Sequence, residues 1–209
     1  MIPVKALVRL GVLGLAGLSL AGCISLLPKS KPAQLYRFGT PPAASAPTAA
    51  APAGRIGVFW GGGDFPREAA GDRMLTVTAG HAAYIAQSRW VAAAEVLWQQ
   101  AVEQAFESSA GRVRLVPRGA PAPTDYVLRL DVRSFEARYD QGAKAAPAIV
   151  VRVHATLTRD RARTVVAEKV FESTVRASDN RVSAIAAAFD QATGQVLGEI
   201  VSWTDAAAQ

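Results

Sequence analysis

Few residues in this chain have the types and spacings that chemistry requires. The two histidines, His81 and His154, stand without a second or third ligand at metal-binding spacing. His154 falls on the outward face of an alternating strand pattern, where a surface imidazole is the ordinary reading. No Gly-x-Ser-x-Gly elbow supports a nucleophilic serine. The run Gly61-Gly62-Gly63-Asp64 lacks the Gly-Lys-Ser/Thr of a phosphate loop, so it reads as a flexible turn. Trp60 and Phe65 flank it and would form a contact patch if exposed. Ser88-Arg89-Trp90 sets an arginine and a tryptophan, both enriched in interface hot spots, at a strand end. The alternative is that Trp90 is core and Arg89 pairs locally. The sequence therefore predicts no enzyme, no catalytic residue and no metal site. The remaining reactive group is the thiol of Cys23, the only cysteine, which cannot form an intrachain disulfide.

The residues before Cys23 say what that thiol is for. Lys5 and Arg9 give a positive start, Gly11 to Leu20 is apolar and uncharged, and Leu20-Ala21-Gly22 presents small residues before the cysteine. This is an export signal over residues 1–22. An apolar run of about ten residues is half of what a membrane-spanning helix needs. The tetrad Leu20-Ala21-Gly22-Cys23 resembles the lipobox of bacterial lipoproteins, in which a diacylglycerol is attached to the thiol. A further N-acyl chain such as palmitate then joins the freed amine. Each buried methylene contributes about 0.8 kcal/mol, so two or three chains anchor a protein essentially permanently. Ile24 follows, rather than the aspartate of inner-membrane retention, and that resemblance implies the periplasmic face of the outer membrane.

Removal of Lys5 and Arg9 with the signal reduces 23 cations to 21 against 17 anions, a net charge of +4. The arginines are spread along strands and turns, which argues against nucleic acid as a partner. Pro28 to Ala33 and Pro41 to Gly54 are polar or Pro/Ala-rich stretches that read as extended linkers. Between them, Gln34 to Gly39 can form a short edge strand. Residues 23–54 thus form a lipidated tether, and residues 55–209 the folded domain.

From Arg55 the pattern is α+β. Strands are expected at Arg55 to Trp60, Met74 to Thr78, Ala82 to Val91 and Arg112 to Val116, with a hairpin around Gly80. Alternation over Asp125 to Tyr139, Ala148 to Thr158 and Thr164 to Arg176 predicts a meander with one buried and one wet face. Helices are expected at Ala92 to Ser109, with Trp98 and Phe106 in the core, and at Arg181 to Trp203. In the second, Val182, Phe189, Val196 and Trp203 recur every seven residues and Ser178, Asp179 or Asn180 supplies the N-cap. Gly194 and Gly198 weaken it and permit close approach to the sheet or a partner. The expected architecture is a single domain, a mostly antiparallel sheet with two amphipathic helices packed on one face.

Three segments carry a family resemblance. Tyr84-Ile85-Ala86-Gln87-Ser88-Arg89-Trp90-Val91 running into a helix, the stripe from Phe189 to Trp203, and Leu35-Tyr36-Arg37-Phe38 after a lipobox resemble the ABC-type transport auxiliary lipoprotein family. Ala92-Ala93-Ala94 departs from it where relatives often carry proline or acidic residues. The resemblance implies a non-catalytic periplasmic partner of an ABC permease, its ATPase and a subunit bearing a mammalian-cell-entry (MCE) domain. Such systems move phospholipid or other hydrophobic molecules, and ATP hydrolysis belongs to the cytoplasmic partner. Direct carriage of a lipid in a cleft, regulation of another envelope assembly machine, and an envelope hydrolase are the alternative readings.

Overall fold

A computed structural model describes residues 32–39 and 56–209. The expected signal, Cys23, Ile24, most of the first expected linker and all of the second lie outside the described residues. No helix among those described is long and apolar enough to cross a membrane.

The strongest alternation in the sequence builds the spine of the sheet. β7 (Tyr126–Arg138) pairs antiparallel along its whole length with β8 (Ala148–Arg159), which pairs antiparallel with β9 (Val165–Arg176). Tyr126, Leu128, Leu130 and Val132 of β7 and Ile149, Val151, Val153, Ala155 and Leu157 of β8 are buried, as their alternation requires. The β7–β8 register shifts between Val132 and Ser134, so Arg133 is an extra residue in the ladder. Such a bulge reverses which parity faces inward. Beyond it, Phe135 and Ala137 are the buried residues.

The other edge of β7 is shared by two short strands, both parallel to it. β2 (Ile56–Trp60) pairs with its first part and β3 (Leu75–Thr78) with its last. β6 (Val113–Val116) extends the sheet parallel to β2, and β4 (His81–Tyr84) closes the far side antiparallel to β3. The sheet is therefore mixed, which corrects the expectation of a mostly antiparallel one. Parallel neighbours need crossover connections, and alternation within one strand carries no mark of a crossover. The β3–β4 hairpin does form around Gly80, with Ala79 and Gly80 both at positive φ, as a two-residue turn favours.

The stretch expected as one strand to Val91 breaks at Gln87, which has φ of +54°. Its second half, β5 (Ser88–Trp90), leaves the main sheet and pairs parallel with β1 (Gln34–Tyr36). A short helix α1 (Arg67–Ala70), not foreseen, precedes β3. The two long helices are α2 (Ala94–Glu107) and α3 (Val182–Ala207). Helix α3 lies against β8 and β9, and α2 against α3 and β6. Ile185, Phe189, Val196 and Ile200 form the buried stripe of α3, with Trp203 edge-on to Phe171. No side chain caps α3: Asp179 instead pairs with Arg181 at 2.6 Å, and the Asn180 amide donates to the Ala143 carbonyl. One apolar core joins both helices and the inner sheet face within a compact unit, residues 33–209.

Candidate functional site

The glycine run does not fold back as a turn. Past Trp60 the chain continues alongside β7: the Gly61 amide donates to the Leu128 carbonyl, and the Leu130 and Val132 amides donate to the carbonyls of Gly62 and Asp64. These bonds are 2.8–2.9 Å long. Gly62 has φ of +76°, open to glycine at little cost. Gly63 lies so close to β7 that a Cβ there would meet the Leu130 carbonyl oxygen at 1.7 Å. The run is thus an extended rail fixed to the sheet.

Charged groups on the outward face of β7 hold it there. The Asp64 amide donates to the Asp131 carboxylate at 2.9 Å, and Arg129 bridges Asp64 and Asp131 at 2.8 and 2.9 Å. Burial by itself would raise the Asp131 pKa, but the Asp64 amide, Arg129 and Arg133 outweigh it and hold the carboxyl below its usual range. The hydrogen bond from Arg129 to Asp131 leads the effects that raise the arginine in turn. Beside the rail is a polar notch of about 330 Å³, with Trp60, Phe65 and Trp98 at its apolar side and Glu95, Gln99 and Arg118 among its polar ones. Trp60 is only 8 % exposed and Phe65 half-buried, so the pair forms a wall of the notch and not the open aromatic patch expected.

The Ser88-Arg89-Trp90 segment divides by side. Trp90 is 2 % exposed, its ring 5.0 Å from Phe38 and 5.3 Å from Phe189 by centroid. Phe135, delivered inward by the bulge, packs at a tilt against Phe38 and Phe189, its ring centroid 4.9 Å and 4.8 Å from theirs. Ser88 is buried and donates to the Ile85 carbonyl. Ser88 and Trp90 are thus interior, which corrects their placement on a partner-binding surface. Arg89 alone faces outward, paired with Asp72 at 2.7 Å. His81 is exposed and His154 half-buried, and no group of three metal-ligating side chains occurs among the described residues.

A larger cavity, about 500 Å³, lies between α2 and α3. Ala101, Ala105, Gly194, Leu197 and Gly198 give it apolar walls. Gly194 and Gly198 have open space where a Cβ would stand, so they face this groove instead of bringing the helix closer to the sheet. Thr193, also lining it, has a buried hydroxyl with no hydrogen-bond partner. The comparable Thr204 hydroxyl donates to Ile200, four residues back, at 2.7 Å. The four-residue spacing of the glycines was the one sequence signal of this groove.

The α+β domain thus offers two concave surfaces, an apolar groove between α2 and α3 and a charged notch beside the glycine run. The chain belongs to the ABC-type transport auxiliary lipoprotein component family, whose model matches residues 36–201. The structure is similar to that of a Xanthomonas campestris protein of the DUF330 family. That likeness has a TM-score of 0.69 and 27 % identity over 84 % of this chain and 96 % of that one. An uncharacterised protein shares the fold at TM-score 0.61 and 13 % identity, over 83 % of this chain and 99 % of the other. Among curated proteins none matches.

Proposed function

We propose that the chain is a non-catalytic docking subunit, lipid-anchored at Cys23 to the periplasmic face of the outer membrane. It would serve an ABC transport system with an MCE-domain subunit that moves phospholipid or other hydrophobic molecules. The observation that carries this reading is the family match over residues 36–201. The acylation motif before Cys23 and the Ile24 that follows support the anchor and its address. Mild crosslinking in cells followed by purification should recover the MCE subunit, permease and ATPase. Recovery of peptidoglycan synthases alone would sink the idea. Mass spectrometry of the processed N-terminus should find diacylglycerol and an N-acyl chain on Cys23. In density fractionation, Ile24→Asp should move the protein to the inner membrane.

A second reading, direct lipid carriage, draws on the α2–α3 groove and the partnerless Thr193 hydroxyl. A concave pocket with apolar walls and a few polar groups, here Gln104, Ser108, Ser109, Asp190 and Thr193, is a common form of ligand site. This reading predicts that lipid extracted from the purified protein is lost on Gly194→Leu, which fills the groove. A parent protein that copurifies with no lipid would count against it.

A further inference from the structure

The net charge of the processed chain is concentrated at one end. Residues 24–63 contain Lys29, Lys31, Arg37 and Arg55 and no aspartate or glutamate; Asp64 is the first acidic residue of the sequence. Those four cations account for the whole +4, because from residue 56 onward 17 cations balance 17 anions. Of these four, Arg37 lies among the described residues, on the β1–β5 ribbon. In the β1–β5 ribbon, Leu35 stands opposite Arg89, and Val91 donates its amide to the Tyr36 carbonyl, which sets Arg37 beside Val91. Tyr36, Phe38, Ser88 and Trp90 turn inward. Leu35 and Val91, 62 % and 44 % exposed, turn outward with Arg37 and Arg89. Arg89 shares its charge with Asp72, whereas Arg37 has no ion-pair partner among the described residues.

We infer that this outer face of the β1–β5 ribbon rests on an anionic phospholipid surface. Aliphatic side chains alternating with arginines are the composition of an interfacial contact, the apolar groups entering the headgroup layer and the guanidiniums pairing with phosphates. The ribbon is also the part of the domain nearest the anchor in the chain. Cys23 lies eleven residues before Gln34, a reach of at most about 40 Å. This orientation rests on the reading of Cys23 as the lipid anchor, but the contact itself does not require acylation.

The test uses the processed chain, residues 23–209, carrying Cys23→Ser so that no acyl chain contributes. It should float with vesicles containing phosphatidylglycerol and not with phosphatidylcholine alone, and binding should fall steeply by 0.5 M salt. Arg37→Gln should weaken the partition about fivefold, the effect of one surface cation. Leu35→Ala should weaken it further. Val165→Ala, equally exposed on β9, should leave it unchanged, with melting curves confirming that each variant folds. Equal binding to both vesicles, or parent-like binding by Arg37→Gln and Leu35→Ala, would overturn the inference. So would a dimer in the absence of vesicles that Leu35→Ala dissociates, because the face would then be an interface between copies. If the unacylated chain binds but the cellular protein carries no lipid on Cys23, the anchor is refuted and the surface stands.

Discussion

Replacing Gly63 by alanine tests whether the glycine run is a rail or a loose loop. The new Cβ would stand 1.7 Å from the Leu130 oxygen and 2.4 Å from its carbonyl carbon. Both atoms belong to the backbone of β7, so no side chain can swing aside. Ordinary contact lies near 3.5 Å, and the run would have to withdraw by more than an ångström. Withdrawal breaks the Leu130–Gly62 and Val132–Asp64 hydrogen bonds and the bond from the Asp64 amide to Asp131. At about 1 kcal/mol for each neutral bond and about 2 kcal/mol for the charge-assisted one, the loss is about 4 kcal/mol. Alanine returns up to about 1 kcal/mol by restricting the unfolded chain, leaving about 3 kcal/mol. Urea unfolding of the processed chain should show that loss as a lower midpoint at unchanged slope. Thermal unfolding should drop by roughly 10 °C for a chain of this size. Gly71→Ala is the control: nothing lies within 4 Å of its Cβ position, and it should change stability by well under 1 kcal/mol. A Gly63→Ala protein as stable as the Gly71→Ala protein would refute the rail.

Asp131 has a depressed pKa in the folded state, so its ionised form stabilises the fold above the unfolded value near 3.9. That stability is lost as pH falls through the folded value. Asp131→Asn should therefore lower the urea midpoint at pH 7 and match the parent more nearly at pH 2.5; a constant gap would contradict the sign. Gly194→Ala, on a helix face open to the groove, should stabilise the chain by about 1 kcal/mol, or roughly 3 °C by calorimetry. A fall instead would mean that the groove is filled. Trp90→Ala should cost about 3–5 kcal/mol in urea unfolding. Arg89→Ala, removing a half-exposed ion pair, should cost less than about 1 kcal/mol, and the reverse order would contradict the division of that segment by side.

What sequence reasoning captured was the structure written in local periodicity. The β7–β8–β9 meander, both long helices and the Gly80 hairpin followed from alternation, three- and four-residue recurrence and turn chemistry. What escaped it was long-range. The parallel pairing of β2 and β3 with β7 joins segments far apart in sequence, and nothing in Ile56 to Trp60 names its neighbour. The extra residue at Arg133 was hidden too. Its neighbours alternate on either side, and only the shift from Val132 to Phe135 as inward residues marks the bulge. The glycine run was misjudged because glycine is equally at home in a turn and where two backbones approach closely; the contact with Leu130 decides between them. For the candidate site, an arginine beside a tryptophan is equally good composition for a hot spot and for a strand with one buried face. Resolving Ser88, Arg89 and Trp90 required knowing that β5 pairs with β1 above an aromatic core. The α2–α3 groove left only its glycine spacing in the sequence.

The same pairing shows what holds the short strand β1 to the rest of the fold. Residues 34–39 lie between two segments of linker composition and form only three ladder pairs, so backbone bonding alone holds β1 weakly. What fixes it is Phe38, buried to 1 % and packed against both Trp90 and Phe135. Gly39 then passes so near α2 that a Cβ would lie 2.5 Å from the Ala101 side chain. Among the described residues, a pull on the chain ahead of Gln34 would meet the Gln34–Gln87 hydrogen bond first, then the ladder, and only last the phenylalanine. Trp90 therefore links both halves of this arrangement: its backbone pairs with β1, and its ring joins that strand to α3 through Phe189. An outward partner contact by that ring would require giving up the attachment, which is why the outward chemistry of the segment falls to Arg89 and its neighbours.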